Sequence, residues 1–239
     1  MTLASILFST GHYGASLAIC ETVIEEFKMQ NISSTDFGYC IATILLEENR
    51  AHFGHFYDSI RNLQRTTSSL KKRIASPFLL IRVYIALSRV YSNVNNDLLS
   101  LHYAEIALSI ALEVYDGSFC NIIIAKCRLL VANALIQLSS TKYAELVLND
   151  ANAQIVYFCE QQCKTRKHIL HMNLLFVLTR LAIAISNYED ANHLSSNLLD
   201  IARETFGPKY VKSFYHFLTQ YLTKLLQKLS CCRGFFIRL

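Results

Sequence analysis

The residues whose types could hold a metal or move a proton are two histidine pairs, His52-x2-His55 and His168-x2-His171, and the pair Cys159 and Cys163. Zinc is held by such cysteine and histidine sets, but usually with a turn between the paired cysteines; here a one-turn helical spacing replaces it. Histidines three apart on a helix share one face and serve as packing or surface residues in a helical array. Glu25-Glu26 and Glu47-Glu48 are adjacent pairs, so on helices they point in different directions and read as solvated charge. Gly11-His12-Tyr13-Gly14 is not followed by Gly-Lys-Ser, so it is no phosphate loop. Nucleophile-elbow and zinc-protease helix motifs are missing too. The chain reads as non-enzymatic, with no cofactor.

A second kind of chemistry lies in six polar residues: Arg82 and Arg89, Lys126 and Asn133, Asn173 and Arg180. The two of each pair fall two helical turns apart, on the first helices of three successive repeats, and none is acidic. Arg and Lys so placed could clamp a carboxylate by charge-assisted hydrogen bonds, while Asn holds peptide backbone. They form a candidate peptide-binding groove for an extended acidic or C-terminal segment. The alternative is that polar residues there simply mark the solvent side.

The elements that must position them are read from a phrase the chain nearly repeats. His102-Tyr103-Ala104-Glu105-Ile106-Ala107-Leu108 reappears as Lys142-Tyr143-Ala144-Glu145-Leu146-Val147-Leu148, 40 residues on (144 − 104). Asn187-Tyr188-Glu189-Asp190-Ala191 is a looser third copy. Periods of this size mark stacked helical hairpins, each burying its apolar face on the next. In tetratricopeptide-like repeats, small residues let the two helices of a hairpin approach while bulky ones fill the groove beside them. Tyr84-x2-Leu87-Ser88-x2-Tyr91 and Val131-Ala132-x2-Leu135 fit the first helix. Ala104-x3-Leu108-x2-Ala111, Ala144-x3-Leu148-x2-Ala151 and Tyr188-x2-Ala191 fit the second. Asn93 to Asp97 reads as a turn a few residues longer than the minimum. Counting the second and ninth residues of each first helix gives the six groove positions.

The expected architecture is therefore all-α: a right-handed superhelical array of antiparallel helix hairpins, an α-solenoid. It is expected over residues 1–229 in about five hairpins, the first and last incomplete, with 230–239 as a tail. Leu3 to Leu7 and Gly11-His12-Tyr13 give the end of a first helix, its turn and the next start. Phe37 to Leu70, with Gly54 near its turn, reads as a worn repeat or else an irregular insertion. Gly207-Pro208 stops one helix, and Lys209 to Leu229 starts another. The cut repeats suggest a piece of a longer array, or else diverged capping helices.

Composition agrees with this. Of 239 residues, 7 are glycine, 2 proline and none tryptophan, leaving few residues to punctuate strands. The 52% apolar fraction can bury a large core, and the 17% charged fraction suits faces covered by neighbours. Leu174 to Ile185, interrupted by Thr179 and Arg180, is too short and polar to span a bilayer. Met1 to Phe8 lacks the parts of a secretory signal. The 8 cysteines read as free cytosolic thiols acting as small hydrophobes. Cys231-Cys232 leaves a lipidated tail open. A net charge of +5 gathers at Lys71-Lys72-Arg73 and Lys164-Thr165-Arg166-Lys167, in expected loops, while the aromatics keep core spacing. That is no nucleic-acid stripe.

Three stretches in collinear order carry a family likeness: Leu3 to Ile24, Phe78 to Val114, and Tyr188-Glu189-Asp190-Ala191 leading into Ala202-Arg203-Glu204-Thr205-Phe206-Gly207-Pro208-Lys209. With these the chain resembles the amyloid protein-binding protein 2 family of tetratricopeptide adaptors. The last phrase also occurs in kinesin-light-chain-like repeats. The resemblance implies a cytoplasmic adaptor gripping tails of cargo or substrate proteins, and a substrate receptor of a cullin-RING ubiquitin ligase with microtubule association. The family's ligase-engaging N-terminal region has no counterpart here, and Asn31 to Ser76 departs in length. The other function class is a structural scaffold subunit of a large complex.

Overall fold

A computed structural model describes residues 1–34, 36–72, 76–115, 121–163 and 168–207. They form α1 (Thr2–Ser9), α2 (Tyr13–Met29), α3 (Phe37–His52), α4 (Phe56–Lys72) and α5 (Pro77–Asn93). There follow α6 (Asp97–Val114), α7 (Ile122–Gln137), α8 (Thr141–Tyr157), α9 (Ile169–Ala184) and α10 (Tyr188–Phe206), with a π-helical turn at Phe158–Gln162 after α8. No strand occurs among the described residues, and no helix among them is long and apolar enough to cross a membrane. The expected helix after Pro208, the basic loop at 164–167 and the tail lie outside the described residues.

Five hairpins result, α1/α2 to α9/α10, and each is turned by the same device. A residue with positive φ follows each first helix: Gly11, Gly54, Asn95, Ser139 and Ser186. Their intervals are 43, 41, 44 and 47 residues (54 − 11, 95 − 54, 139 − 95, 186 − 139). In each turn the positive-φ residue donates its N–H to the carbonyl three back. The next residue donates to the carbonyl five back, as in Gly54 to Ala51 and His55 to Arg50, both 3.0 Å. This pairing satisfies carbonyls that the helix end would leave unpaired. Glycine takes the conformation without strain at Gly54; serine at Ser139 and Ser186 is held there by the packed hairpin.

Measured from these turns, every hairpin pairs two buried residues at the helix crossing. They are Ala4 with Ser16, Glu47 with Ser59, Ser88 with Ser100, Ala132 with Ala144, and Thr179 with Ala191. Ser16 Oγ donates to the Ala4 carbonyl at 2.8 Å, and the Ser88 and Ser100 hydroxyls lie 3.3 Å apart. Small side chains here let the backbones approach; bulky ones one turn along, such as Leu63 and Leu148, fill the seam. Each buried leucine or isoleucine of that kind contributes about 1.5–3 kcal/mol.

This register corrects the sequence phrase. Tyr103, Tyr143 and Tyr188 do not occupy equivalent places: they lie eight, four and two residues past their turns (103 − 95, 143 − 139, 188 − 186). Tyr103 stacks on Tyr84 and Tyr91, whereas Tyr143 and Tyr188 are exposed. The true counterpart of Ala144 in the preceding repeat is Ser100, so the 40-residue repeat is the 44-residue one slipped by a helical turn. Residues four apart share a face, which is why the phrase fits in both registers. Nor is the turn at Asn93 to Asp97 long: it has the same geometry as the other four. The segment Phe37 to Leu70 is a regular hairpin, not an insertion.

The first helices also pack on one another, α1 on α3, α3 on α5, α5 on α7 and α7 on α9, while the second helices do so far less. Closer packing makes the first-helix layer the inner wall of the stack. That is the wall on which the groove residues stand.

Candidate functional site

The turn-based register puts Arg89, Asn133 and Arg180 six residues before their turns, and Arg82, Lys126 and Asn173 thirteen before. The same count in α3 (54 − 6) lands on Glu48, in the next place along the row from Arg89. Arg89 Nη1 donates to Glu48 Oε1 at 2.8 Å, and Arg82 Nη2 stands 3.6 Å from Glu48 Oε2. The Glu48 side chain is 3% exposed, against 31% for Arg89 and 19% for Arg82. Glu47 and Glu48 are thus buried, not solvated as their adjacency suggests. They point differently, as expected, but one points into the hairpin crossing and the other into the row of inner-wall cations.

Burial alone would push the Glu48 carboxyl up, but Arg89 and Arg82 outweigh it and hold the group below the usual carboxylate range. Lys126 of α7, half-buried beside them, has its ammonium pushed down to about 7 by burial and then by the Arg89 and Arg82 charges. Glu48 opposes that shift without cancelling it. Glu47 behaves oppositely to Glu48. Burial raises its carboxyl despite hydrogen bonds to Oε1 from Asn62 Nδ2 at 3.0 Å and Arg50 Nη1 at 3.3 Å.

Farther along, Arg180 is buried, donates to Asn133 Oδ1 and stands 5.9 Å over the Phe176 ring. Burial pushes its guanidinium down to about 9, with Asp97 of α6 opposing; it remains a cation at neutral pH. Asn173 is exposed on α9. The six residues therefore fall into an ionic cluster on α3, α5 and α7 (Glu48, Arg82, Arg89, Lys126) and a second knot, Asn133 with Arg180. Ser92 Oγ donates to Gln137 Oε1 at 3.1 Å and ties α5 to α7 beside them. At the α3 end, the His52 ring lies 3.4 Å from that of Tyr13. Glu48, His52 and Tyr13 were not among the expected site residues, yet extending the same count one repeat back would have found Glu48.

The metal-type residues have other work. His52 ends α3 and His55 precedes α4 across the Gly54 turn, so the pair does not share a helix. His168 Nδ1 caps α9 by accepting from the Leu170 N–H at 3.1 Å, and its ring meets Phe158 edge-on at 5.3 Å. Cys159 is fully buried among apolar side chains. Among the described residues, no three His, Cys, Asp or Glu side chains gather as metal ligands would.

No protein-family model matches the chain, and no curated protein matches it in sequence. Solved structures do. A protein described as a kinesin light chain from Podosopora anserina, with nearly identical TPR-like repeats, superposes with TM-score 0.57 at 14% identity. That match covers 85% of this chain and 93% of the other. BtubC (BKLC) from P. vanneervenii matches with TM-score 0.59 at 18% identity, over 80% of this chain and 74% of that one. At such identities the likeness establishes the fold alone, a solenoid of TPR-like repeats.

Proposed function

We propose that this solenoid is a non-enzymatic protein-interaction adaptor that holds an extended acidic segment, or a chain terminus, against its inner wall. The observation that carries the reading is the row of Arg82, Arg89 and Lys126, two guanidiniums and an amine held down to about 7, beside the single carboxylate of Glu48. The cost of keeping such a row is relieved when a ligand brings further negative charge. Asn133 and Asn173 continue the row with amides suited to peptide backbone, and the buried Arg180 holds the Asn133 amide in place. In a cytoplasmic setting this is the work of a cargo or substrate receptor. The family resemblance adds, as its narrower form, delivery of substrates to a cullin-RING ubiquitin ligase.

Lys126 supplies the test. Anisotropy titration of a short acidic tail peptide is expected to show affinity falling about tenfold or more in Lys126→Glu, since one attractive charge becomes repulsive. A peptide with its carboxylates amidated should bind both proteins equally weakly. Because the Lys126 ammonium is held down to about 7, binding at neutral pH should also take up protons, read calorimetrically as a buffer-dependent heat. Equal affinities with no proton uptake would instead favour a scaffold that uses its outer helices.

A further inference from the structure

The three cations of the inner wall are not equally engaged. Arg89 Nη1 is bonded to Glu48 Oε1, but Glu48 Oε2 receives no hydrogen bond, and its 3.6 Å approach to Arg82 is too long for one. Among the described residues Arg82 makes no hydrogen bond, and Lys126 makes neither a hydrogen bond nor an ion pair. Arg82 and Lys126 therefore keep their donors, one on α5 and one on α7, at matching places thirteen residues before their turns. Glu48 itself is placed by the repeat, six residues before Gly54, where the following repeats carry Arg89, Asn133 and Arg180. A carboxylate at that place does for Arg89 what a ligand carboxylate would do.

Building on the groove reading above, we propose that Glu48 is a built-in competitor that determines this groove's selectivity. It occupies Arg89, confines a bound segment's carboxylate to Arg82 and Lys126, and holds down affinity for strongly acidic ligands. Two physical effects act together. The Arg89 guanidinium must give up a charge-assisted bond before it can serve a ligand. A ligand carboxylate on Arg82 also comes to rest beside Glu48 Oε2, and like charges in a partly desolvated site repel strongly. The penalty grows with each further acidic residue, so the native groove favours sparsely acidic segments over acidic runs.

The experiment compares wild type with Glu48→Gln, using a short peptide with one acidic residue, one with an acidic run, and the amidated neutral form. Glu48→Gln is expected to bind the acidic run about tenfold more tightly, the singly acidic peptide with a smaller gain, and the neutral peptide unchanged. A carboxylate that only holds the helices together would give unchanged or weaker binding, and that result overturns the inference. Should Glu48→Gln not fold, carbon-detected titration of Glu48 in the wild type reads the same contact. The acidic peptide should raise the pH at which the Glu48 carboxyl titrates, and an unmoved titration contradicts the proposal. If acidic peptides bind, and Lys126→Glu weakens them, while Glu48→Gln does not strengthen them, the groove reading stands and the competitor falls. If wild type binds no acidic peptide, both fall.

Discussion

Replacing Ser100 by leucine is expected to destabilise the chain by about 2–4 kcal/mol, seen as a lower midpoint in urea unfolding. Ser100 is 2% exposed at the α5/α6 crossing, its hydroxyl 3.3 Å from that of Ser88. Three extra carbons there force two helices apart, and the Ser88 hydroxyl loses its partner in a buried place. Ala104→Leu is the informative companion. Its counterparts nine residues past the turn in α4 and α8 are Leu63 and Leu148, both buried. The seam at that level accepts a leucine, so the expected cost is about 1 kcal/mol, less than at Ser100. If Ala104 were instead the counterpart of Ala144, as the repeated phrase implies, Ala104→Leu would be the worse of the two.

Removing the charge of Arg89, as Arg89→Met, is expected to cost about 2–3 kcal/mol at pH 7. That is below the ~3–5 kcal/mol of a fully buried pair, because Arg89 keeps 31% of its side-chain surface exposed. Glu48 would remain buried with only the longer Arg82 pair to offset its desolvation. The pH dependence separates this from lost packing. In the wild type the Glu48 carboxyl, raised by burial, is held below its ordinary range by Arg89 and Arg82. The interaction therefore contributes stability above the unfolded-state value near about 4.3 and loses it as pH falls through the lower native value. Without Arg89, burial is opposed only by the remaining cations, so the carboxyl protonates at higher pH. The deficit of the variant should then be largest near neutrality and should narrow as pH falls through the variant's raised titration range toward the lower one of the wild type. A deficit that stays constant over that range would mean the loss is one of packing alone.

How far these features could be read from sequence depended on whether the information was local. The hairpins of α5/α6 and α7/α8 announce themselves through small and bulky residues at helical spacing, because those residues make the helix crossing. The α3/α4 hairpin was harder, since it carries Glu47 at the crossing where the other repeats have Ala4, Ser88, Ala132 and Thr179. With its small-residue signature broken, only Gly54 remained to mark the turn. The one-turn slip between Tyr103 and Tyr143 is hidden in the sequence because a shift of four residues leaves an amphipathic pattern intact. Only the turn residues Asn95 and Ser139, with their backbone bonds, set the register.

The candidate site divides in the same way. Arg82, Arg89, Lys126, Asn133, Asn173 and Arg180 follow from counting along helices. The Arg89–Glu48 bond joins residues 41 apart in sequence and needs the stacking of α3 on α5. Nothing in the adjacency of Glu47 and Glu48 says that both are buried, one into its own hairpin and the other into the inner wall. The Arg180–Asn133 contact likewise depends on α7 lying against α9.

An acidic tail peptide with a spin label at its acidic end, titrated into isotopically labelled chain, shows which helix layer holds the ligand. Signals of Arg82, Lys126 and their neighbours on α5 and α7 should broaden, fading toward Asn173, while Tyr57 and Tyr143 on the second helices stay sharp. Broadening centred on Tyr57 and Tyr143, with Arg82 and Lys126 untouched, would contradict the inner-wall groove and place the working surface on the outer layer.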